Sequence, residues 1–266
     1  MTFGLKASKG LYCIDIIRGK IMAKKRILLS LLLLAVLSLS LSAYQFSPLN
    51  VTFDASGSGS QKVYTIVNDS DSPIAIEIKA EKRIMDEDGN ENNEDASSYF
   101  NIVPKKVVIK GQATQLIRVT YRGPKTTTEE MSFRIISEQI AYSTGASTQT
   151  EGQMISFLFV YSTSAYVAPT KIVEKTSQTA EINEDGNLEI TITNEGSVHQ
   201  LLNDLKVTVK SGNTVYELTD EEMGSIKGCN LLCGGKLRIV IPVPEVLQGK
   251  KNFDVSISYD YTYSAS

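Results

Sequence analysis

From Tyr44 onward the chain holds no apolar repeat at helical spacing over a useful length. It runs instead through short β-branched and aromatic stretches: "NVTFDA", "QKVYTIVND", "IAIEIKAEKRIM", "FNIVPKKVVI", "TQLIRVTYRG", "MSFRIISEQI" and "MISFLFVYSTSAYVA". Turn residues separate them, in "SGSGS", "DSDSP", "DEDGNENNED" and "KGQ". Strands this short cannot satisfy their own backbone, so they must pair into sheets and bury one face against another layer. Such spacing predicts an immunoglobulin-like β-sandwich and excludes helical bundles and alternating α/β folds. In "IAIEIKA", Ile74, Ile76 and Ile78 share one face; in "KVYTIV" the alternation is weaker, as a central strand would have it.

"APTK", residues 168–171, interrupts this pattern, because Pro169 cannot donate to a strand ladder. A second series follows: "TAEI", "NLEITITNEG", "DLKVTVK", "TVYELT", "KLRIVIPVP" and "NFDVSISYDYTY", with hairpin-type "DGN" and "SGN" turns. The expected architecture is all-β: two immunoglobulin-like sandwiches in tandem, over 44–168 and 169–266.

Residues 1–43 differ. From Met22, the basic Lys24, Lys25 and Arg26 precede an apolar run, Ile27 to Leu41, and small residues near Ala43 offer a cleavage point. This is the pattern of a secretory signal peptide. The run is shorter than the ~20 residues a spanning helix needs, which favours cleavage over a retained anchor. Residues 1–21 lack any such pattern and read as an upstream start, with Met22 the true one. The expected mature protein is exported, with no stable membrane insertion after cleavage. The formal net charge of −3 becomes more negative without residues 1–42, which carry basic residues and a single acid, Asp15. An acidic chain without basic clusters is a poor partner for nucleic acid or anionic lipid.

Cys13 lies in the discarded region, leaving Cys229 and Cys233 in "KGCNLLCGG". An even pair in an oxidising compartment points to a disulfide. The alternatives are a metal site, which needs more ligands than the one histidine supplies, and a redox dithiol, whose cysteines usually enclose two residues where these enclose three.

Nothing resembles catalytic machinery. His199, in "NEGSVHQLL", stands without a nucleophile motif and reads as a surface or turn histidine. "DEDGN" and "TDEEMG" supply carboxylates in loops, with no apolar pocket to separate their pKa values. "DEDGNENNED", residues 86–95, lacks the ligand spacing of a calcium loop and reads as a solvated hairpin. The expectation is a non-enzyme without cofactor or metal.

"MISFLFVY", residues 154–161, is apolar on both faces. Met154, Leu158 and Val160, with Ser156, are expected to face the domain's own core. Ile155, Phe157, Phe159 and Tyr161 are then left for something else: a partner strand, the second domain packed over the strand, or another interface.

Several stretches resemble the periplasmic chaperones of chaperone–usher pilus assembly. "FSPLNVTFDASGSGSQKVYTIVNDSDSPIAIEI", with Asn68 before a turn, is similar to that family's opening. "FNIVPKKVVIKGQATQLIRVTYRG", with Pro104, Gly111 and Arg118, is similar to its middle. "FLFVYSTSAYVAP" looks like the closing strand of its first domain, and "ITITNEGSVHQLL" like an Asn-centred turn of its second. The resemblance implies a periplasmic protein that lends this closing strand to a pilus or fimbrial subunit and delivers the subunit to an outer-membrane usher. Ile155, Phe157, Phe159 and Tyr161 would be the donated residues. It also implies a cationic anchor for the subunit's terminal carboxylate, but the matching positions here are Asn50 and Ser164, both uncharged. Arg83, Arg122 and Lys171 are candidate substitutes. The rival reading is a secreted or envelope-bound immunoglobulin-like adhesion module.

Overall fold

The computed structural model describes residues 44–141 and 157–263. The first strand series comprises β1 (Gln45–Ser47), β2 (Asn50–Phe53), β3 (Gln61–Asn68), β4 (Ile74–Lys82), β5 (Glu94–Asp95), β6 (Phe100–Val103), β7 (Lys106–Ile109), β8 (Ala113–Tyr121), β9 (Met131–Ile140) and β10 (Val160–Val167). They form two sheets, ordered β1-β3-β8-β6 and β2-β10-β9-β4-β5, with β7 also on β4. The chain changes sheet between β1, antiparallel to β3, and β2, parallel to β10.

The period-two pattern explains which faces meet. Tyr64 and Ile66 on β3, Ile117 and Val119 on β8, and Ile76 and Ile78 on β4 point into one buried cluster. At its centre Phe100 packs edge-on against Phe53, Tyr121 and Phe133, at centroid separations of 5.5, 5.6 and 5.0 Å. Each buried ring contributes on the order of 1.5–3 kcal/mol, so these rings weld the two sheets.

The second series is β11 (Thr176–Ile182), β12 (Leu188–Asn194), β13 (Gln200–Leu201), β14 (Lys206–Ser211), β15 (Thr214–Glu217), β16 (Asn230–Leu231), β17 (Lys236–Ile241) and β18 (Asp254–Ser258). It makes the sheets β11-β12-β17 and β15-β14-β18 and the pair β13-β16, around a separate core of Leu188, Ile190, Ile192, Val207, Leu237 and Ile239. The fold is all-β, two immunoglobulin-like sandwiches in tandem. "TDEEMG" is not an open loop: Asp220–Met223 form one helical turn, closed by a reciprocal Thr219–Glu222 capping box.

One buried asparagine pins a turn in each sandwich. Asn68 Nδ2 donates to the carbonyls of Ser72 (2.9 Å), Lys110 (3.0 Å) and Ile109 (3.3 Å), while its Oδ1 accepts from the Ser70 amide. Asn194 Nδ2 does the same to Val198, Leu231 and Leu232, and its Oδ1 accepts from Gly196. In each sandwich a single side-chain amide thus ties three carbonyls of the turn and its neighbouring segment together.

The loop after β4 departs from expectation. The hairpin of residues 83–93 is not simply solvated: it reaches the second sandwich. Met85 packs against the second core. The Arg238 amide donates to the Glu87 carbonyl at 2.7 Å, and its guanidinium pairs with Asp88 at 2.8 Å. Cys229 Sγ and Leu237 lie beside Gly89. Met85, Asp88, the Glu87 carbonyl and the close approach at Gly89 together dock a loop whose composition looks fully solvated.

The expected Cys229–Cys233 disulfide is not formed; both thiols are free. Cys229 faces Gly89 of the hairpin, whereas Cys233 Sγ donates to the Gly196 carbonyl at 3.3 Å. The two sulfurs point to different neighbours, on either side of β16. Among the described residues no helix is long and apolar enough to cross a membrane. The signal-peptide and alternative-start readings fall on residues outside those described.

Candidate functional site

The site is built on β10, and its faces are the reverse of those expected from the sequence. Thr163, Ala165 and Val167 are buried, so their parity faces the core. Phe159 and Tyr161 follow that parity and pack against the first core. Tyr161 stacks edge-on against Tyr44 at 4.7 Å, and its hydroxyl donates to the Tyr44 carbonyl. Tyr161 is therefore engaged within the domain. Val160 and Leu158, expected inside, are 61% and 49% exposed. Phe157, beyond the first residue of β10, is 63% exposed. Ile155 lies outside the described residues. A two-faced apolar run leaves parity undetermined; only the buried residues further along decide it.

β10 has two edges and they are filled unequally. On one side β9 accompanies it from Val160 to Val167. On the other, β2 pairs only with Ser164 to Val167, its register opening with Ser164 opposite Asn50. From Val160 to Thr163 this edge carries no strand among the described residues. Three exposed apolar side chains, Phe157, Leu158 and Val160, cluster at its open end.

Where β2 closes the edge, the outward face changes from apolar to charged. Asn50, Ser164 and Arg134 form one row across β2, β10 and β9. Arg134 Nη1 donates to Ser164 Oγ at 2.8 Å. Its Nε donates to Glu91 Oε2 at 3.1 Å and its Nη2 to Glu91 Oε1 at 2.5 Å. Arg83 shares the same carboxylate, at 2.6 and 3.1 Å, and donates to the Tyr166 hydroxyl at 3.2 Å. Burial pushes the Glu91 carboxyl up, but Arg134 and Arg83 outweigh it and hold the group at about 2. Two guanidiniums share Glu91, and Glu81 is the register partner of Arg134 on β4, so the cation beside Ser164 stands among carboxylates.

One row further, Tyr166 is 2% exposed, because the second sandwich covers it. His199 stacks on its ring at 4.0 Å with a 10° interplanar angle. His199 is thus no surface residue: it is 5% exposed, with Nδ1 at 2.8 Å from Glu130 Oε1 and Nε2 at 2.9 Å from the Tyr261 hydroxyl. A carboxylate only accepts, so Nδ1 donates to Glu130. Asn230 Nδ2 donates to the Tyr166 hydroxyl at 2.6 Å. Burial, then the charge of Glu130, pushes Tyr263 up to about 12; its hydroxyl also faces Thr52, the register partner of Tyr166.

The structure brings Asn50 and Ser164 together as directly opposed residues, with Phe157 and Phe159 farther along the same chain segment. Of the substitute cations, Arg83 is nearby but buried, whereas Arg122 follows β8 in the other sheet and Lys171 lies in the exposed connection. Sequence reading passed over Arg134, Glu91 and Tyr166. Arg134 is the sole cation of "SFRIISEQI", and only the β9–β10 register makes it the neighbour of Ser164.

Residues 45–173 match the family described as pili and flagellar-assembly chaperone, PapD N-terminal domain. The fold is similar to the class 5 fimbriae chaperone CfaA, at 14% identity over 82% of this chain and 100% of that chain, with a TM-score of 0.53. It is also similar to a chain of the chaperone–tip adhesin complex described as vital for synergistic activation of CFA/I fimbriae biogenesis, at 15% identity, 81% and 98% coverage and a TM-score of 0.53. A chain of the CsuC–CsuE chaperone–tip adhesion subunit pre-assembly complex, from archaic Csu pili of Acinetobacter baumannii, matches at 14% identity, 75% and 91% coverage and a TM-score of 0.49. At these identities the likeness to the first two is one of fold. No curated protein sequence matches this chain.

Proposed function

Through residues 45–173 the chain belongs to the family of pili and flagellar-assembly chaperones, and on that premise we propose that it binds pilus or fimbrial subunits by lending them the open edge of β10. The observation that carries this reading is the half-closed edge: β2 covers β10 only from Ser164, and Phe157, Leu158 and Val160 stand exposed before it. An unpaired edge with exposed apolar side chains is a hazard for a protein that stays alone, and a binding device for one that adds a strand. Phe157 prolongs the core-facing parity of Phe159 past the rim of the sandwich. A subunit's own apolar groove would continue the first core there, with Phe157 and Phe159 filling it and Ile155 next in line. Tyr161 stays in the domain as the floor of that row.

Neither Asn50 nor Ser164 is charged, and Arg134 supplies the missing cation. A subunit's terminal carboxylate set on the Asn50–Ser164–Arg134 row would meet an amide, a hydroxyl and a guanidinium, with charge assistance from the last. In this reading the protein is exported to the periplasm by its N-terminal segment, is not an enzyme, and hands its subunit to an outer-membrane usher.

The test is co-expression with a fimbrial subunit from the same source, comparing the wild type with Phe157→Asp. An exposed phenylalanine contributes little to the free fold, so the variant should melt like the wild type. It should lose the subunit, because an unpaired charge would enter the subunit's groove. Undiminished recovery of the subunit with the variant would refute strand donation.

A further inference from the structure

The C-terminal segment of residues 259–263 runs back over the seam between the sandwiches. Tyr259 donates to Gln200 Oε1 at 3.2 Å, the Asp260 amide to the Asn203 carbonyl at 2.8 Å, and the Tyr263 amide to Glu174 Oε1 at 2.7 Å. Tyr261 and Tyr263 bracket His199, at centroid separations of 5.6 and 5.7 Å. The buried Tyr263 hydroxyl lies near Thr52 and Glu130 without a hydrogen bond to either. His199 in turn stacks on Tyr166 of the row Thr52–Tyr166–Ser132, which follows the Asn50–Ser164–Arg134 row by two residues, roughly 7 Å along the strands.

We infer that Tyr261 and Tyr263, with His199 and Tyr166, form an end stop for the subunit strand, so that the site accepts a chain end and rejects a strand that continues. This rests on the strand-donation reading above. A strand added to β10 meets β2 at Asn50, which already occupies the next place in the sheet. To continue, the strand must rise off the sheet and cross the outward face. That face is open over Val160 and Ser162, half-covered at Ser164 and buried at Tyr166. The tyrosine segment and the Tyr166–His199 stack block the way over. Charge sorts the same two rows: a terminal carboxylate is attracted at Arg134, whereas one step beyond it meets the buried carboxylate of Glu130. β2 therefore closes the sheet, and the tyrosine segment closes the detour around it.

The experiment compares capture of a fimbrial subunit from the same source carrying either its native C-terminus or a Gly-Ser extension. Wild-type protein should bind the extended subunit about tenfold more weakly or worse. A variant ending at Asp260, and separately Tyr263→Ala, should bind the native subunit within about twofold of wild type while losing most of that discrimination. Thermal melting of each free variant reports whether the sandwiches remain folded, and Tyr263→Ala keeps the test available if the truncation does not. Equal binding of both subunits by the wild type would overturn the end stop while leaving strand donation standing. Retained discrimination in both variants would also overturn it. Capture of neither subunit by the wild type would remove the strand-donation reading and this inference with it.

Discussion

Asn50 and Ser164 stand directly opposite one another in parallel register, where the open edge of β10 becomes a closed one. On the side of lower residue numbers along β10 lie an edge that no strand pairs among the described residues and exposed apolar side chains; on the other side lie a paired strand and a face covered by the second sandwich. Arg134 flanks the same junction from β9 and bonds Ser164. A strand-binding edge, a cation and a wall thus meet within one row.

Arg134→Ala should weaken subunit binding by about 10–100-fold, the size of a hydrogen bond to a charged group. The free protein should lose part of the Glu91 ion pair but stay folded, because Arg83 still pairs with Glu91 at 2.6 Å. Isothermal titration of wild type and variant with a purified subunit measures the first effect, and thermal melting the second. An unchanged affinity would remove Arg134 from the site.

Glu91 should give the protein an acid-labile step. Its carboxyl is held at about 2, below an ordinary value of 4.5. Its ionised form is therefore the one that stabilises the fold: the contribution is complete above pH 4.5 and is lost as the pH falls toward 2. Melting temperatures measured from pH 7 to pH 2 should fall across that window. Glu91→Gln should start lower at pH 7, since it leaves Arg83 buried without its partner, and should follow a flatter course through the window. Parallel curves for the two proteins would contradict this assignment.

Asn68→Ala should destabilise the first sandwich by about 3 kcal/mol, because one amide satisfies three carbonyls and a backbone N–H. Chemical denaturation with a probe in the first sandwich reads it. Asn68→Asp should lose most of the same stability, since a carboxylate cannot donate to those carbonyls. A loss below ~1 kcal/mol for the alanine variant would show that water replaces the amide.

Both cysteines should titrate as free thiols in unreduced, denatured protein. In the native state Cys233 should react slowly at neutral pH, because burial, then the Glu129 charge, pushes its thiol up to about 11. Reaction with a thiol reagent, followed by peptide mapping, separates the two positions. Finding neither thiol free would restore the disulfide expected from compartment and even count.

The period of two was legible in most strands of the sequence. Ile117 and Val119, or Leu188, Ile190 and Ile192, alternate with polar residues, and alternation alone commits a strand to one buried face. The turn asparagines, Asn68 before "DSDS" and Asn194 before "EGS", were placed by the family resemblance, not by periodicity. The parity of "MISFLFVY" was not legible, because both faces are apolar and the local pattern is degenerate. It was decided by Thr163, Ala165 and Val167, which the opposite sheet and β9 hold inside. Likewise nothing local marks Arg134 as the companion of Ser164, thirty residues away, or His199 as the lid on Tyr166. Periodicity is a property of neighbours along the chain, and it settles what each strand buries. Register and domain packing are set by contacts between residues distant in sequence, and only the tertiary structure decides which charges, edges and rings come to share one site.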